Sequence, residues 1–130
     1  MEATILVIEE DLDLSKLFYY MLRTQGYTVK VTHDWQMAQE IFDQAEPDLI
    51  IFDWGHTNTD GYVWVDELLA SPKTERVPVL CVCGDPPSHG ISKMLDKAGV
   101  QVIEKPFDIL EFRQYVAGLL MPQERMAGVA

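Results

Sequence analysis

Residues 46–53 read Glu46-Pro47-Asp48-Leu49-Ile50-Ile51-Phe52-Asp53. Proline cannot continue a helix, so Pro47 ends the helical pattern that precedes it. Four consecutive apolar residues follow without alternation, as a strand covered on both faces requires. Asp53 closes the run, and a loop rich in Gly, Asn, Thr and Asp extends from Gly55 to Gly61. A doubly covered strand implies parallel neighbours and helical crossovers, and the sequence on either side supplies them.

On the N-terminal side, Asp34 can cap a helix carrying Met37, Ala38, Ile41 and Phe42. Before it, Tyr27-Thr28-Val29-Lys30-Val31 alternates like a strand with one more exposed face. Leu14, Leu17, Phe18, Met21 and Leu22 recur at helical spacing up to Gly26, and Thr4-Ile5-Leu6-Val7-Ile8 is a β-branched run. On the C-terminal side, Val65, Leu68 and Leu69 predict a helix ending near Pro72, and Val77 to Cys83 reads as another buried strand. Ile91, Met94, Leu95 and Ala98 form a helical stripe that stops at Gly99, and Val100 to Ile103 is a fifth, brief strand. Asp108 and Glu111 have the spacing of a capping box for a last helix with the face Leu110, Phe112, Val116 and Leu119. The sum is an α/β chain with a five-stranded parallel sheet and helices on both faces. One domain is expected over residues 1–120, with 121–130 as a tail lacking periodicity.

Bulk properties narrow the function. The 130 residues, 48% hydrophobic and 24% charged, have the composition of an ordinary globular domain. Ten basic against twenty-one acidic residues give a net charge of −11, which opposes binding to nucleic acid or to an anionic membrane. With no secretory signal and no long apolar run, the expected location is the cytoplasm. Cys81 and Cys83, two apart on one strand, suit neither a disulfide nor a metal site and read as small buried hydrophobes.

In a doubly wound sheet, ligands bind beyond the carboxyl ends of the strands. Those ends carry Glu9-Glu10-Asp11, Asp53, Cys83-Gly84 and Glu104-Lys105-Pro106. Carboxylates gathered there repel one another, and a hard divalent cation relieves that repulsion through oxygen ligands. An aspartate beside such a cation can attack phosphorus, and a lysine can neutralise phosphoryl oxygens.

The stretches Ile5-Leu6-Val7-Ile8-Glu9-Glu10-Asp11, Glu46 to Asp53, Asp60-Gly61-Tyr62, Val77-Pro78-Val79 and Lys105-Pro106-Phe107 together resemble the receiver domain of response regulators in two-component signalling. The likeness to this CheY-like, flavodoxin-like (βα)5 family covers nearly all of residues 4–120. It implies that Asp53 is the phosphoacceptor and that Lys105 contacts the phosphoryl group. It further implies Mg²⁺ (or Mn²⁺) held by Asp53, by Glu10 directly and Glu9 through water, and by the main-chain carbonyl of Gly55. A cis bond before Pro106 is common in the family. The implied donor is a phosphohistidine on a sensor histidine kinase or phosphotransfer protein. The output would pass to a further protein by contact, or through a homodimer built on the last two helices. Beyond phosphorylation and dephosphorylation of its own Asp53, no enzyme activity is implied.

Four positions depart from the family pattern. The acidic pair is Glu-Glu where Asp is more usual, and Thr57 replaces a common proline. Cys83 stands in place of the Thr or Ser whose hydroxyl bonds the phosphoryl group. Val102 occupies the position of the aromatic switch residue, three before Lys105. A thiol is a weak donor and valine has no ring to swing, so the relay behind the acceptor is altered. The alternative that follows is a degenerate pseudo-receiver that binds proteins independently of phosphorylation.

Two other classes are weaker. Ile51-Phe52-Asp53-Trp54-Gly55 is similar to the nucleophile motif of haloacid-dehalogenase-type phosphatases, but Gly55 cannot serve as the general acid that motif needs. A flavodoxin-type cofactor site requires a phosphate-cradling loop after the first strand, where Glu9-Glu10-Asp11 would repel the phosphate. His33, His56 and His89 read as ordinary polar residues, with His56 close enough to Asp53 in sequence to tune a phosphoryl group.

Overall fold

The computed structural model describes residues 2–54, 67–68, 70, 75–84 and 89–121. Five strands, β1 (Thr4–Ile8), β2 (Thr28–Thr32), β3 (Leu49–Trp54), β4 (Val79–Cys83) and β5 (Gln101–Glu104), form one sheet in the order β2-β1-β3-β4-β5. Every pairing is parallel. The crossovers include α1 (Leu12–Arg23), α2 (Trp35–Gln44) and α3 (His89–Lys97), and α4 (Ile109–Leu119) follows the last strand. Glu67, Leu68 and Ala70 are helical where the sequence predicts a helix between the third and fourth strands. Among the described residues no helix is long and apolar enough to cross a membrane.

Period-two alternation divides the apolar residues of each strand between two cores. Leu6, Ile8, Ile50, Phe52, Val79 and Cys81 face one side, with Ala38 and Phe42 of α2 and Leu95 of α3. Ile5, Val7, Leu49, Ile51, Leu80, Val82 and Ile103 face the other, with Phe18 and Leu22 of α1 and Phe112 and Val116 of α4. The four residues Leu49–Phe52 are at most 1% exposed, because both of these layers cover β3. Burying each such side chain contributes about 1.5–3 kcal/mol relative to leaving it in water. Cys81 and Cys83 are both buried and form no disulfide, as their spacing predicts.

The helix faces are narrower than the sequence pattern suggests. Leu17, Met37 and Leu110 are 50%, 48% and 60% exposed, although the pattern puts each on a buried face. Leu17 stands at the margin of the arc formed by Ser15, Phe18, Met21 and Leu22, and Leu110 lies in the first turn of α4. Ser15 takes an inward position because its hydroxyl donates to the Leu12 carbonyl at 2.7 Å. That bond satisfies a polar group which burial would otherwise penalise. The tail expected over 121–130 lies outside the described residues except for Met121.

Three aspartates start helices. Asp11 caps α1 by accepting from the amides of Asp13 at 2.9 Å and Leu14 at 3.1 Å. Asp34 accepts from Met37 N at 2.7 Å, and Asp108 accepts from Leu110 N at 2.7 Å. Replacing Asp11 with alanine leaves two amide groups of α1 without this partner. The expected cost is about 1 kcal/mol, seen as a fall in Tm of roughly 4 °C by calorimetry.

Candidate functional site

The ladder register brings the chemically distinctive residues to one edge. Ile8 is level with Phe52, Asp53 with Val82, and Cys83 with Glu104. Glu9 therefore leaves β1 beside the end of β3, at the place where the strand order reverses. The main chain of β5 stays attached one residue further, since Lys105 N donates to the Cys83 carbonyl at 2.7 Å. The Lys105–Pro106 bond is cis. Beyond it Phe107 packs against Phe18 and Phe112, with ring centroids 6.5 and 5.2 Å apart. This aromatic cluster ties the turn that carries Lys105 to α1 and α4.

Asp53 and Lys105 form an ion pair through Oδ2 and Nζ. The Asp53 side chain is 2% exposed, and that of Lys105 is 24% exposed. Glu9, also 2% exposed, lies against the same carboxyl. Its pKa is pushed up to about 8, chiefly by burial and then by the neighbouring Asp53 carboxyl; the Asp11 amide and the Lys105 ammonium oppose this only in part. Glu9 Oε1 accepts from Asp11 N at 3.0 Å. Glu9 Oε2 and Asp53 Oδ1, in contrast, are buried without any hydrogen-bond donor.

Two buried acceptor oxygens without a donor are costly. Either a shared proton or a cation resolves this, and the raised Glu9 pKa is the first of these. A hard divalent ion suits the same oxygens, since Mg²⁺ commonly takes one or two carboxylates and keeps several waters. The residues present thus fit such an ion. Among the described residues no cluster of three or more His, Cys, Asp and Glu side chains is gathered there.

Of Glu9, Glu10 and Asp53, the side chains implied to hold the cation, Glu9 and Asp53 come together with the Lys105 ammonium, while Glu10 is exposed. Gly55, whose carbonyl is implied as a ligand, lies outside the described residues, as do Thr57 and His56. Cys83 is fully buried on the same face of β4 as Cys81. Val102 is level with Cys81 on the edge strand β5 and 36% exposed. Two neighbours of the acidic turn escape the sequence reading. Asp11 is a helix cap rather than part of the cluster, which its place just before the helical pattern could have indicated. His33 reaches the Glu9 carbonyl through Nδ1 at 3.0 Å, a contact between loops with no local signal.

The model that describes the response regulator receiver domain matches residues 5–117. The chain is similar to the DNA-binding dual master transcriptional regulator RpaA of Synechocystis sp., 29% identical over 126 residues, 97% of this chain and 52% of that protein. It is 27% identical to the phosphate regulon transcriptional regulatory protein PhoB of Rhizobium meliloti over 116 residues, 89% of this chain and 51% of that protein. The chain thus spans about half the length of these curated relatives. The crystal structure of the chemotaxis protein CheY4 of Vibrio cholerae superposes with a TM-score of 0.78 at 19% identity, over 92% of this chain and 100% of that one. That likeness establishes the fold.

Proposed function

We propose, for a chain that belongs to the response regulator receiver domain family, that Asp53 accepts a phosphoryl group from a phosphohistidine. The donor would be a sensor histidine kinase or a phosphotransfer protein. The observation that carries this reading is the buried Asp53 carboxyl, paired with Lys105 and set against Glu9 at the strand-order reversal. Asp53 attacks phosphorus while the phosphorus–nitrogen bond breaks, and the departing imidazole recovers a proton. Lys105 exchanges its partner, from the free carboxylate to the phosphoryl oxygens. Mg²⁺ (or Mn²⁺), held by Glu9, Glu10, Asp53 and the Gly55 carbonyl, would neutralise those oxygens further. Output passes to a protein partner in the cytoplasm, and the −11 net charge disfavours direct contact of this domain with nucleic acid.

The test is the intact mass after incubation with Mg²⁺ and acetyl phosphate. One phosphoryl adduct is expected, absent with chelator and absent in Asp53→Asn. A second reading rests on Cys83, a buried thiol where the family has a hydroxyl. It makes the chain a binding module indifferent to phosphorylation. Absence of any adduct, both with acetyl phosphate and with a phosphorylated phosphotransfer protein, would favour that reading over the first.

A further inference from the structure

Glu9 is held at three of its four polar atoms by neighbours within the chain. Its N–H donates to the Thr32 carbonyl at 3.0 Å, and its Oε1 accepts from Asp11 N at 3.0 Å. Its own carbonyl meets His33 Nδ1 at 3.0 Å. A carbonyl only accepts, so Nδ1 must carry the proton in this contact. Oε2, the remaining atom, is buried without a donor beside Asp53.

We propose that His33 is a positioning residue for the metal-binding acidic turn, acting through the peptide unit that joins Glu9 to Glu10. This rests on the phosphoacceptor reading and adds a residue to its site. The corner from which the ring reaches is itself fixed. Thr32 is fully buried, its hydroxyl donates to the Asp34 carbonyl at 3.2 Å, and Asp34 caps α2. With Thr32 holding the N–H of Glu9 and His33 holding its carbonyl, the main chain is clamped on both sides of the Glu9 side chain. The same carbonyl belongs to the peptide that sets the direction in which Glu10 departs. His33 is itself exposed, so it adds little to the core, and its contribution to cation binding is separable from stability.

The test compares the full chain with His33→Leu, which removes the donor, and His33→Asn, whose amide can reach the same carbonyl. Mg²⁺ affinity is measured by isothermal titration calorimetry. Exchange of the Asp11 amide is followed in metal-free protein. Leucine should weaken Mg²⁺ binding about tenfold and speed Asp11 exchange, with asparagine restoring most of both. Wild-type affinity in the leucine variant, or an asparagine variant as weak as leucine, overturns the positioning role while leaving the phosphoacceptor reading intact. If the unsubstituted chain binds no Mg²⁺, the metal-dependent reading falls and takes the role of His33 with it.

Discussion

Metal-free protein carrying Lys105→Met is expected to unfold roughly 10 °C below the unsubstituted chain at pH 8, a loss of about 3 kcal/mol. Methionine keeps the length of the side chain and removes the ammonium. The Asp53 side chain, 2% exposed, is then left as a buried carboxylate beside Glu9 with no cation. Breaking a buried pair commonly costs about 3–5 kcal/mol. The lower end applies here because the lysine side chain is 24% exposed, so part of its charge is already screened. Saturating Mg²⁺ should narrow the deficit by taking over the neutralising role. Thermal denaturation at pH 8, with and without Mg²⁺, checks each part. Equal losses in the two conditions would show that methionine acts by packing rather than charge.

Glu9→Gln should have opposite effects on stability and on cation binding. In the folded chain the Glu9 pKa is raised from 4.5 to about 8. Between those values the folded state holds a proton that the unfolded chain has released. Stability supplied by the protonated carboxyl is therefore complete below about pH 4.5 and is lost as pH rises through 8. Glutamine does not titrate, and its amide can donate to the unpartnered Asp53 Oδ1. Metal-free Glu9→Gln should thus be the more stable protein at pH 8, by about 1–2 kcal/mol, with a flatter stability–pH curve. Its Mg²⁺ affinity should fall by about tenfold or more, because one of the anionic groups that holds the cation is gone. Chemical denaturation from pH 5 to 8, paired with calorimetric Mg²⁺ titration, separates the two effects. Increased stability with unchanged Mg²⁺ affinity would remove Glu9 from the cation site.

Much of the architecture was legible because apolar runs such as Leu49–Phe52 fit a sheet covered on both faces. Boundaries were less legible, because pairing partners set them. Tyr27 looks like the start of a strand, yet β2 begins at Thr28, whose N–H meets the Ala3 carbonyl at 2.9 Å and which pairs with Thr4. Asp53 and Lys105 could be placed together because each ends or follows a buried strand. The division of Glu9, Glu10 and Asp11 into an inward carboxylate, an exposed one and a helix cap looked like a single acidic cluster in sequence. Period two explains the first member, since Glu9 continues the face of Ile5 and Val7, and Asp53 that of Leu49 and Ile51. His33 was out of reach for a different reason: its partner lies 24 residues away and no periodicity links a ring to a distant carbonyl.

The two thiols on β4 also make the protein its own clock. Cys81 and Cys83 are both 0% exposed on a strand with neighbours on either side. A thiol reagent must therefore wait until the middle of the sheet parts. When trapping is fast compared with reclosing, the rate of modification counts those openings, and when it is slow the rate reports their equilibrium. A cysteine introduced on the surface would react long before either, so a dye could be attached there with both native residues left in place.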